Sequence, residues 1–150
     1  MDAIDAHLMD LLQADCSRSL AELGKEVGLS VSAVKERLSK LRARGDVRAY
    51  VALINPRTLG YALCAFVQVR VDGRNNEHAF LEAALRLPEV QECHHVSGDF
   101  SYLLKMWARS LQDLEQLVDR LKSRSGVARV HTSVVLSSPK DQVTGMTARP

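Results

Sequence analysis

The polar and basic side chains between Ser30 and Arg48 have the chemistry and spacing needed to bind nucleic acid. Val34, Leu38 and Leu41 recur at intervals of four and three residues, which predicts a helix with one apolar side. The polar face of this helix is formed by Ser32, Lys35, Glu36, Ser39 and Lys40. Such side chains can donate hydrogen bonds to phosphates and base edges when a helix enters the DNA major groove.

The basic residues of the chain are concentrated in and just after this helix. Residues 35–48 contain six bases and two acids, whereas residues 1–15 contain four acids and neither lysine nor arginine. Such clustering is the electrostatic footprint of a surface that binds a polyanion, with a solvated helix face as the alternative. The candidate phosphate contacts are Lys35, Lys40, Arg44 and Arg48. The candidate base or phosphate contacts are Ser30, Ser32, Glu36 and Ser39.

Two charged residues of this helix have a second interpretation. Arg37 lies about 60° around the helix from Val34, so we expect it to pair with an acid of the first helix, such as Asp5, rather than read bases. Glu36 could accept a hydrogen bond from cytosine, or it could pair with Lys40 four residues later.

The N-terminal part predicts three helices in a helix-turn-helix arrangement. Ser19 and Glu22 have the spacing of a capping box at the start of the short second helix, and Gly28 is a typical stop. Ser30 is placed to cap the basic third helix. The β-forming residues Val47–Ile54 then fit a two-stranded wing or a strand that leaves the module.

The second half of the chain predicts the element order β-α-β-β-α-β, which is the ferredoxin-like arrangement. The predicted strands are Ala62–Val71, Val90–Ser97, Tyr102–Ala108 and Val127–Leu136. The predicted helices are Asn76–Leu87 and Ser110–Lys122, with Leu85 and Leu111 among their inward residues. One sheet face is covered by helices, and apolar residues are expected on both faces of the first and last strands. We therefore expect a homodimer that stacks two sheets.

The predicted fold class is α+β, with an N-terminal winged helix-turn-helix followed by a ferredoxin-like βαββαβ domain. The DNA-binding domain is expected at 1–54 and the sensing domain at 62–137. A linker at 55–61 is indicated by the turn signal Asn55-Pro56. Residues 138–150, which are rich in small polar residues, are expected to form a tail.

Composition excludes several classes of protein. No apolar run approaches the roughly 18 residues of a membrane span, and the acidic start lacks the pattern of a secretory signal. The three cysteines are odd in number and widely spaced, which indicates a reducing cytoplasm rather than a disulfide framework. Cys16 and Cys64 are interpreted as small buried apolar residues.

A metal or catalytic site has little support in the sequence. Strand alternation sends Cys93 and His95 to one sheet face and His94 to the other, and two ligands from one strand do not complete a tetrahedral site. No nucleophile motif, glycine-rich phosphate loop or recognisable catalytic carboxylate pair is present. We expect no catalytic residues, metal or cofactor, and we interpret His95 as a residue of an effector pocket or dimer interface.

Several motifs occur in a distinctive order along the chain. They include Asp2-x-x-Asp5, Leu12-Gln-x-Asp15, Val34-x-x-Arg37-Leu-x-x-Leu41, Asn55-Pro56, Val96-Ser-Gly-Asp-Phe100 and Tyr102-Leu-Leu-Lys105. Over about residues 2–137, the chain resembles the Lrp/AsnC family of bacterial and archaeal transcription regulators.

The resemblance implies a transcription regulator that binds promoter DNA and responds to a small-molecule effector, expected to be an amino acid. It also implies a homodimer that assembles further, with an octamer expected, and an effector site where neighbouring dimers meet. The family's effector turn corresponds to Gly98–Ser101, and the last strand contributes Thr132–Val135. The candidate effector contacts are His95, Gly98, Asp99, Phe100, Ser101, Leu111, Thr132, Ser133, Val134 and Val135.

Two residues depart from the family pattern. Ser101 stands where the family has a carboxylate, and His95 stands where aliphatic residues are common. Serine can hydrogen-bond an ammonium group but supplies no charge. A regulator without effector control is therefore one alternative. A second alternative is a metal-responsive variant or an enzyme like the sirohaem decarboxylases, which share this architecture. Such a protein could use His94, His95 and His131. The third helix, rich in serine and lysine, favours the regulator.

Overall fold

The computed structural model describes residues 2–141, and its backbone contacts divide the chain into two compact units. The N-terminal unit is formed by residues 2–53, with Lys140 and Asp141 also assigned to it, and the C-terminal unit comprises Ile54–Pro139. Most of the expected tail, residues 142–150, lies outside the described residues. The domain and linker boundaries expected from the sequence remain predictions.

The N-terminal unit contains the expected helices, and the signals that begin and end them are the expected ones. The helices are α1 (Ala3–Ala14), α2 (Leu20–Val27) and α3 (Val31–Ala43). The capping box of α2 is confirmed, because Ser19 Oγ accepts a hydrogen bond from Glu22 N and the Glu22 carboxylate accepts one from Ser19 N. Gly28 ends α2 in the left-handed region at φ 68°, and Ser30 Oγ accepts from Ala33 N to start α3.

The turn between α2 and α3 is tight because Gly24 has no side chain. A Cβ at Gly24 would lie 2.6 Å from the backbone oxygen of Leu29, whose N–H donates to Gly24 O at 2.9 Å. This close approach lets the three helices share one core. Its buried members are Leu8, Leu23, Val34, Leu38 and Leu41.

A buried carboxylate joins α1 to α3. Asp5 is only 6% exposed, and its Oδ1 accepts a hydrogen bond from Arg37 Nη1 at 2.8 Å. The same Arg37 nitrogen lies 2.6 Å from Asp2 Oδ2, and Arg44 Nη2 lies 3.4 Å from Asp5 Oδ2. The predicted pairing of Arg37 with Asp5 is confirmed, and Arg37 therefore holds the helices together rather than facing a ligand.

The predicted wing is not formed by this chain. Residues 48–55 have no regular secondary structure, although their side chains favour β-structure. A strand needs a neighbour to satisfy its backbone, but this segment is followed at once by a short 3-10 helix, Pro56–Leu59. The apolar side chains of Val51, Leu53 and Ile54 are consequently exposed.

The C-terminal unit has the predicted βαββαβ order. Its strands are β1 (Leu63–Val71), β2 (Val90–His95), β3 (Tyr102–Ala108) and β4 (Val127–Val134). Its helices are α4 (Arg74–Leu85) and α5 (Leu111–Lys122). The four strands form one sheet in the order β2-β3-β1-β4 with antiparallel neighbours, which confirms the ferredoxin-like fold.

One face of this sheet packs against α4 and α5, and the other face is open. The covered face carries small and medium apolar residues such as Val67 and Leu104, packed with Phe80 and Leu117. The open face is mixed rather than apolar, and its residues on β1, β3 and β4 include Phe66, Gln68, Leu103, Lys105, His131 and Ser133. The expectation of apolar residues on both faces is therefore wrong for much of the open face. Two apolar residues of β4, Val130 and Val134, pair with covered residues of β1 and so belong to the covered face.

Two predicted core residues are exposed. Leu85 is 66% exposed and Leu111 is 68% exposed. Leu85 is the last residue of α4 and Leu111 is the first residue of α5. The apolar spacing of each helix is correct, but its end residue has no sheet beneath it.

The ion pairs of α1 and α3 make the stability of the chain depend on pH. Burial opposes ionisation of Asp5, but hydrogen bonds from Arg37 and Arg44 outweigh it and lower the pKa of the Asp5 carboxyl. Because the folded state binds this proton less readily than the unfolded chain, Asp5 stabilises the fold above the ordinary carboxyl pKa of about 3.9. That contribution is lost as the pH falls through the lowered folded-state pKa.

Replacing Asp5 with asparagine should reveal this contribution. We expect Asp5→Asn to lower the free energy of unfolding by about 2 kcal/mol at neutral pH, because hydrogen bonds to a charged group are lost. The stability of the variant should also change less with pH below about 4. Urea unfolding followed by circular dichroism, at neutral pH and below about pH 4, measures the free energy of unfolding. Glu26→Gln, which changes an exposed acid in the same unit, is the control. Equal losses in the two variants would contradict the assignment.

Candidate functional site

The polar face of α3 lies on the surface of the N-terminal unit as predicted. Ser32, Lys35, Glu36, Ser39 and Lys40 are all exposed, whereas the apolar side of the helix is buried. Ser30 Oγ caps the helix and lies 3.0 Å from Ser32 Oγ. The structure thus brings the candidate contacts of the helix together on one accessible face, with Ser30 at its start.

Glu36 and Lys40 form a pair on this face. Lys40 Nζ donates to Glu36 Oε1 at 2.7 Å, and this hydrogen bond lowers the pKa of the Glu36 carboxyl. The pairing interpretation of Glu36 is confirmed. Because both groups are exposed, the pair is weak and can be exchanged for contacts to an external ligand.

Arg44 and Arg48, both predicted phosphate contacts, have different environments. Arg44 Nε donates to Asp46 Oδ2 at 2.8 Å, which raises the pKa of the Arg44 guanidinium, and Asp5 lies near its other end. Arg48 is exposed and has no ion pair among the described residues. The charge of Arg44 is therefore offset within the domain, whereas that of Arg48 is not.

The turn Gly98–Ser101 forms one wall of an open depression of about 440 Å³. His95 lies in the same depression, with its ring centroid 5.2 Å from that of Tyr102. The rest of the lining was missed from the sequence. It comprises Arg70 and Val71 at the end of β1, Asp72 after it, and Val96 and Ser97 before the turn. The ferredoxin-like element order implies that β1 and β3 are neighbours in the sheet, and this was the signal that could have found the residues of β1.

Ser101 ties this turn to β1. Its N–H donates to Val69 O at 2.9 Å, and its Oγ accepts from Val71 N at 3.2 Å. The residue that replaces the family's carboxylate thus has a structural partner in its own chain, since its hydroxyl satisfies backbone at the strand end.

Phe100 lies beside basic residues of β4. The guanidinium carbon of Arg129 is 5.5 Å from the centroid of the Phe100 ring, and the ring of His131 is 6.5 Å away. Arg129 is also directly opposite Arg70 in the register of β1 and β4. Arg70 Nε donates to Asp72 Oδ1 at 3.1 Å, so the charge of Arg70 is offset locally, whereas Arg129 has no ion pair among the described residues. The sequence did not predict that Arg129 lies against Phe100.

Three of the remaining effector candidates, Val134, Val135 and Leu111, lie toward the opposite end of the sheet. Val134 pairs with Ala65, and Val135 N donates to Cys64 O at 2.9 Å, whereas the Gly98–Ser101 turn is attached at Val69. Cys64 and Val69 are about 17 Å apart along β1 at roughly 3.3 Å per residue.

Thr132 and Ser133 fall between these ends, opposite Val67 and Phe66. Leu111 begins α5 three residues after Ala108, which pairs with Leu63 at the far end of β1. A single chain therefore does not gather all of the predicted effector residues into one pocket.

The Cys93–His95 segment has the alternation predicted for it. Cys93 pairs with Leu104 on the covered side, where burial raises the pKa of its thiol, and His94 lies beside Leu103 on the open side. His94 Nε2 is 3.1 Å from Glu92 Oε2. Within residues 2–141, no group of three or more His, Cys, Asp or Glu side chains could hold a metal ion.

The cysteine prediction was wrong in one respect. Cys16 is exposed rather than buried, because it follows the end of α1 and lies beyond the helical core. Cys64 and Cys93 are partly buried. Within the described part of the chain, no helix is long and apolar enough to cross a bilayer.

Comparison with known proteins assigns the chain to a family. The AsnC-type helix-turn-helix domain matches residues 1–42, and the Lrp/AsnC ligand binding domain matches residues 64–144. The chain belongs to the Lrp/AsnC family. It is a helix-turn-helix transcription regulator with a ligand-binding domain, as the resemblance implied, and the comparisons do not favour the tetrapyrrole enzyme.

Similar proteins cover nearly the whole chain. The HTH-type transcriptional regulator FL11 of Pyrococcus horikoshii is 34% identical over 142 residues, covering 94% of this chain and 93% of its own. The leucine-responsive regulatory protein of Escherichia coli is 36% identical over 143 residues, covering 93% and 87%. A transcriptional regulator from Neisseria meningitidis, crystallised as an L-Met complex, has a TM-score of 0.92 at 29% identity, covering 97% of this chain and 96% of its own.

The role of Ser101 in its own chain can be tested by substitution. We expect Ser101→Ala to lower the free energy of unfolding by about 1 kcal/mol, because the hydrogen bond from Val71 N is lost. Thermal and urea unfolding measure this. Ser97→Ala, an exposed serine before the same turn, should have little effect. An unchanged stability in Ser101→Ala would contradict a structural role for the hydroxyl.

Proposed function

We propose that the chain binds promoter DNA sequence-specifically through α3 and that an amino acid bound to the C-terminal domain controls this binding. The observation that carries the proposal is the polar face of α3, exposed on a helix whose opposite side is buried. In this scheme 1–54 is the DNA-binding domain and 62–137 the sensing domain, joined by 55–61 and followed by a tail at 138–150.

The chemistry of the depression at Gly98–Ser101 supports an amino acid as effector. Asp99 carries a carboxylate that can pair with an ammonium group. Arg70 and Asp72 pair with each other, with Arg70 Nε 3.1 Å from Asp72 Oδ1, and because both are exposed this weak pair can be exchanged for the carboxylate and ammonium groups of a ligand. Phe100 offers an apolar surface. A zwitterion with a side chain matches this set of groups, and the Neisseria relative was crystallised with L-Met.

The separation of the effector candidates supports assembly. Gly98–Ser101 and Val134–Val135 lie at opposite ends of one sheet, so a pocket built from both needs a second chain. The open sheet face also carries the apolar Phe66, 39% exposed, which a partner would cover. We propose a homodimer that stacks these faces and assembles further, to an octamer, with effector sites between dimers.

We propose that the chain is not an enzyme and acts in the cytoplasm. His94 and His131 lie on the open face of β2 and β4, the outer strands of the sheet, about 14 Å apart at the usual strand spacing. His95 lies on the covered side of β2. These three histidines do not converge on one ligand within a chain, which argues against the tetrapyrrole chemistry.

Binding to DNA upstream of its own gene tests the first half of the proposal. Lys35→Ala should weaken binding to every sequence and reduce the slope of log affinity against log salt by about one. Ser39→Ala should change sequence preference with little change in this slope. Gel shifts or fluorescence anisotropy with matched and scrambled duplexes measure both effects. The absence of any salt-dependent binding to DNA would contradict the proposal.

A screen of the twenty amino acids tests the second half. One of them, supplied at about 100 times its dissociation constant, should raise the stability of the folded chain by about 2.7 kcal/mol. Differential scanning fluorimetry detects such a shift, and the same amino acid should change affinity for DNA. If none shifts the unfolding temperature, the chain is a regulator without amino-acid control.

A further inference from the structure

The cations of the N-terminal unit divide into two groups. Those of the first group lie within 4 Å of an acid, and they are Arg18, Arg37, Lys40 and Arg44. Those of the second group have no such acid among residues 2–53, and they are Lys25, Lys35, Arg42 and Arg48. Only the second group carries positive charge that the domain itself does not offset.

Three of these uncompensated cations line one depression. Lys35, Arg42 and Arg48 surround an open concavity of about 530 Å³, together with Ser39 and Tyr50. Its apolar lining comes from Leu20, Leu38, Ala43 and Val47. No acidic side chain lines it, so three positive charges face the same space.

Helix geometry explains why Arg42 joins this group while Arg37 and Arg44 do not. Lys35, Ser39 and Arg42 follow one another at intervals of four and three residues, so they lie on one side of α3. Arg42 is only about 20° around the helix from Lys35. Arg37 and Arg44 lie on the other flank, where Asp5 is buried.

Tyr50 holds the guanidinium of Arg42 in place. The guanidinium carbon lies 5.7 Å from the centroid of the Tyr50 ring, within the range of a cation–π contact. A guanidinium stacked in this way keeps its N–H groups available to a phosphate. Tyr50 belongs to the irregular segment after α3, where the sequence had predicted a wing.

We infer that this depression binds the phosphodiester backbone of duplex DNA beside the groove that receives α3. Lys35, Arg42 and Arg48 contact phosphates, and Tyr50 is a positioning residue that orients Arg42. The irregular segment thus takes the place of the absent wing. The inference rests on the proposed function and adds Arg42 and Tyr50 to the DNA-binding surface.

The salt dependence of DNA binding by the full chain tests the role of Arg42. Loss of one phosphate contact lowers the slope of log affinity against log salt by about 0.9. For Arg42→Gln, the drop in affinity between about 50 and about 200 mM salt should therefore be smaller than in the native chain by a factor of about 3.5, on matched and scrambled duplexes alike. Arg124→Gln removes the same charge from an exposed site in the C-terminal unit and should leave the slope unchanged.

A double-mutant cycle tests the role of Tyr50. Tyr50→Phe keeps the ring and should bind DNA like the native chain, whereas Tyr50→Leu should bind more weakly. In the Arg42→Gln background, Tyr50→Leu should have no further effect, because the group that it positions is gone. Equal unfolding temperatures in all variants would show that a folding defect does not cause the loss.

Two results would overturn the inference, and they differ from failure of the proposed function. If Arg42→Gln has the same salt slope as Arg124→Gln while the native chain binds DNA, the depression does not contact phosphate. If the effects of Arg42→Gln and Tyr50→Leu simply add, Tyr50 does not act through Arg42. If the native chain binds no DNA at any salt concentration, the proposed function fails and the inference fails with it.

Discussion

The buried carboxylate of Asp5 is the constraint on which the DNA-binding unit depends. A carboxylate that is only 6% exposed must be compensated, and α3 supplies Arg37 and Arg44 for this purpose. Arg37 therefore fixes α3 against α1, and the charge of Arg44 is offset by Asp5 and Asp46. The opposite flank of the same helix keeps its charge, with Lys35 and Arg42 unpaired among residues 2–53. The internal ion cluster thus offsets the arginines on one flank of the helix and leaves the charges of Lys35 and Arg42 uncompensated on the other.

The sensing unit follows from a different constraint, because two helices cover only one face of a four-stranded sheet. The exposed face and the ends of the strands are left for ligands and other chains. At one end Ser101 ties the turn to β1 and creates a depression, and at the other end Val134 and Leu111 are exposed. In the proposed scheme, a ligand that contacts residues from both ends binds between two chains. Effector binding is then coupled to assembly, and through assembly to DNA binding.

Features governed by local chemistry could be predicted from the sequence, and features governed by distant neighbours could not. The caps at Ser19 and Ser30, the order of strands and helices along the chain and the pairing of Arg37 followed from spacing alone. The prediction of a wing failed because a strand needs a neighbouring strand, and the chain does not supply one after Ile54. The prediction that Leu85 and Leu111 are buried failed because periodicity gives the inward side of a helix but not the point where the sheet ends. The pairing of Arg44 with Asp46 and Asp5, and the position of Tyr50 over Arg42, depend on how the chain turns after α3.

Lysine acetylation of the full chain, with and without saturating duplex DNA, shows whether the polar face of α3 contacts DNA. Lys35 lies on the polar face of α3, and Lys122 is an exposed lysine at the end of α5. Mass spectrometry of the labelled peptides gives the reactivity of each lysine in the free and bound states. We predict that DNA strongly protects Lys35 and leaves Lys122 as reactive as before. Equal reactivity of Lys35 in the free chain and in the DNA-saturated complex would contradict it.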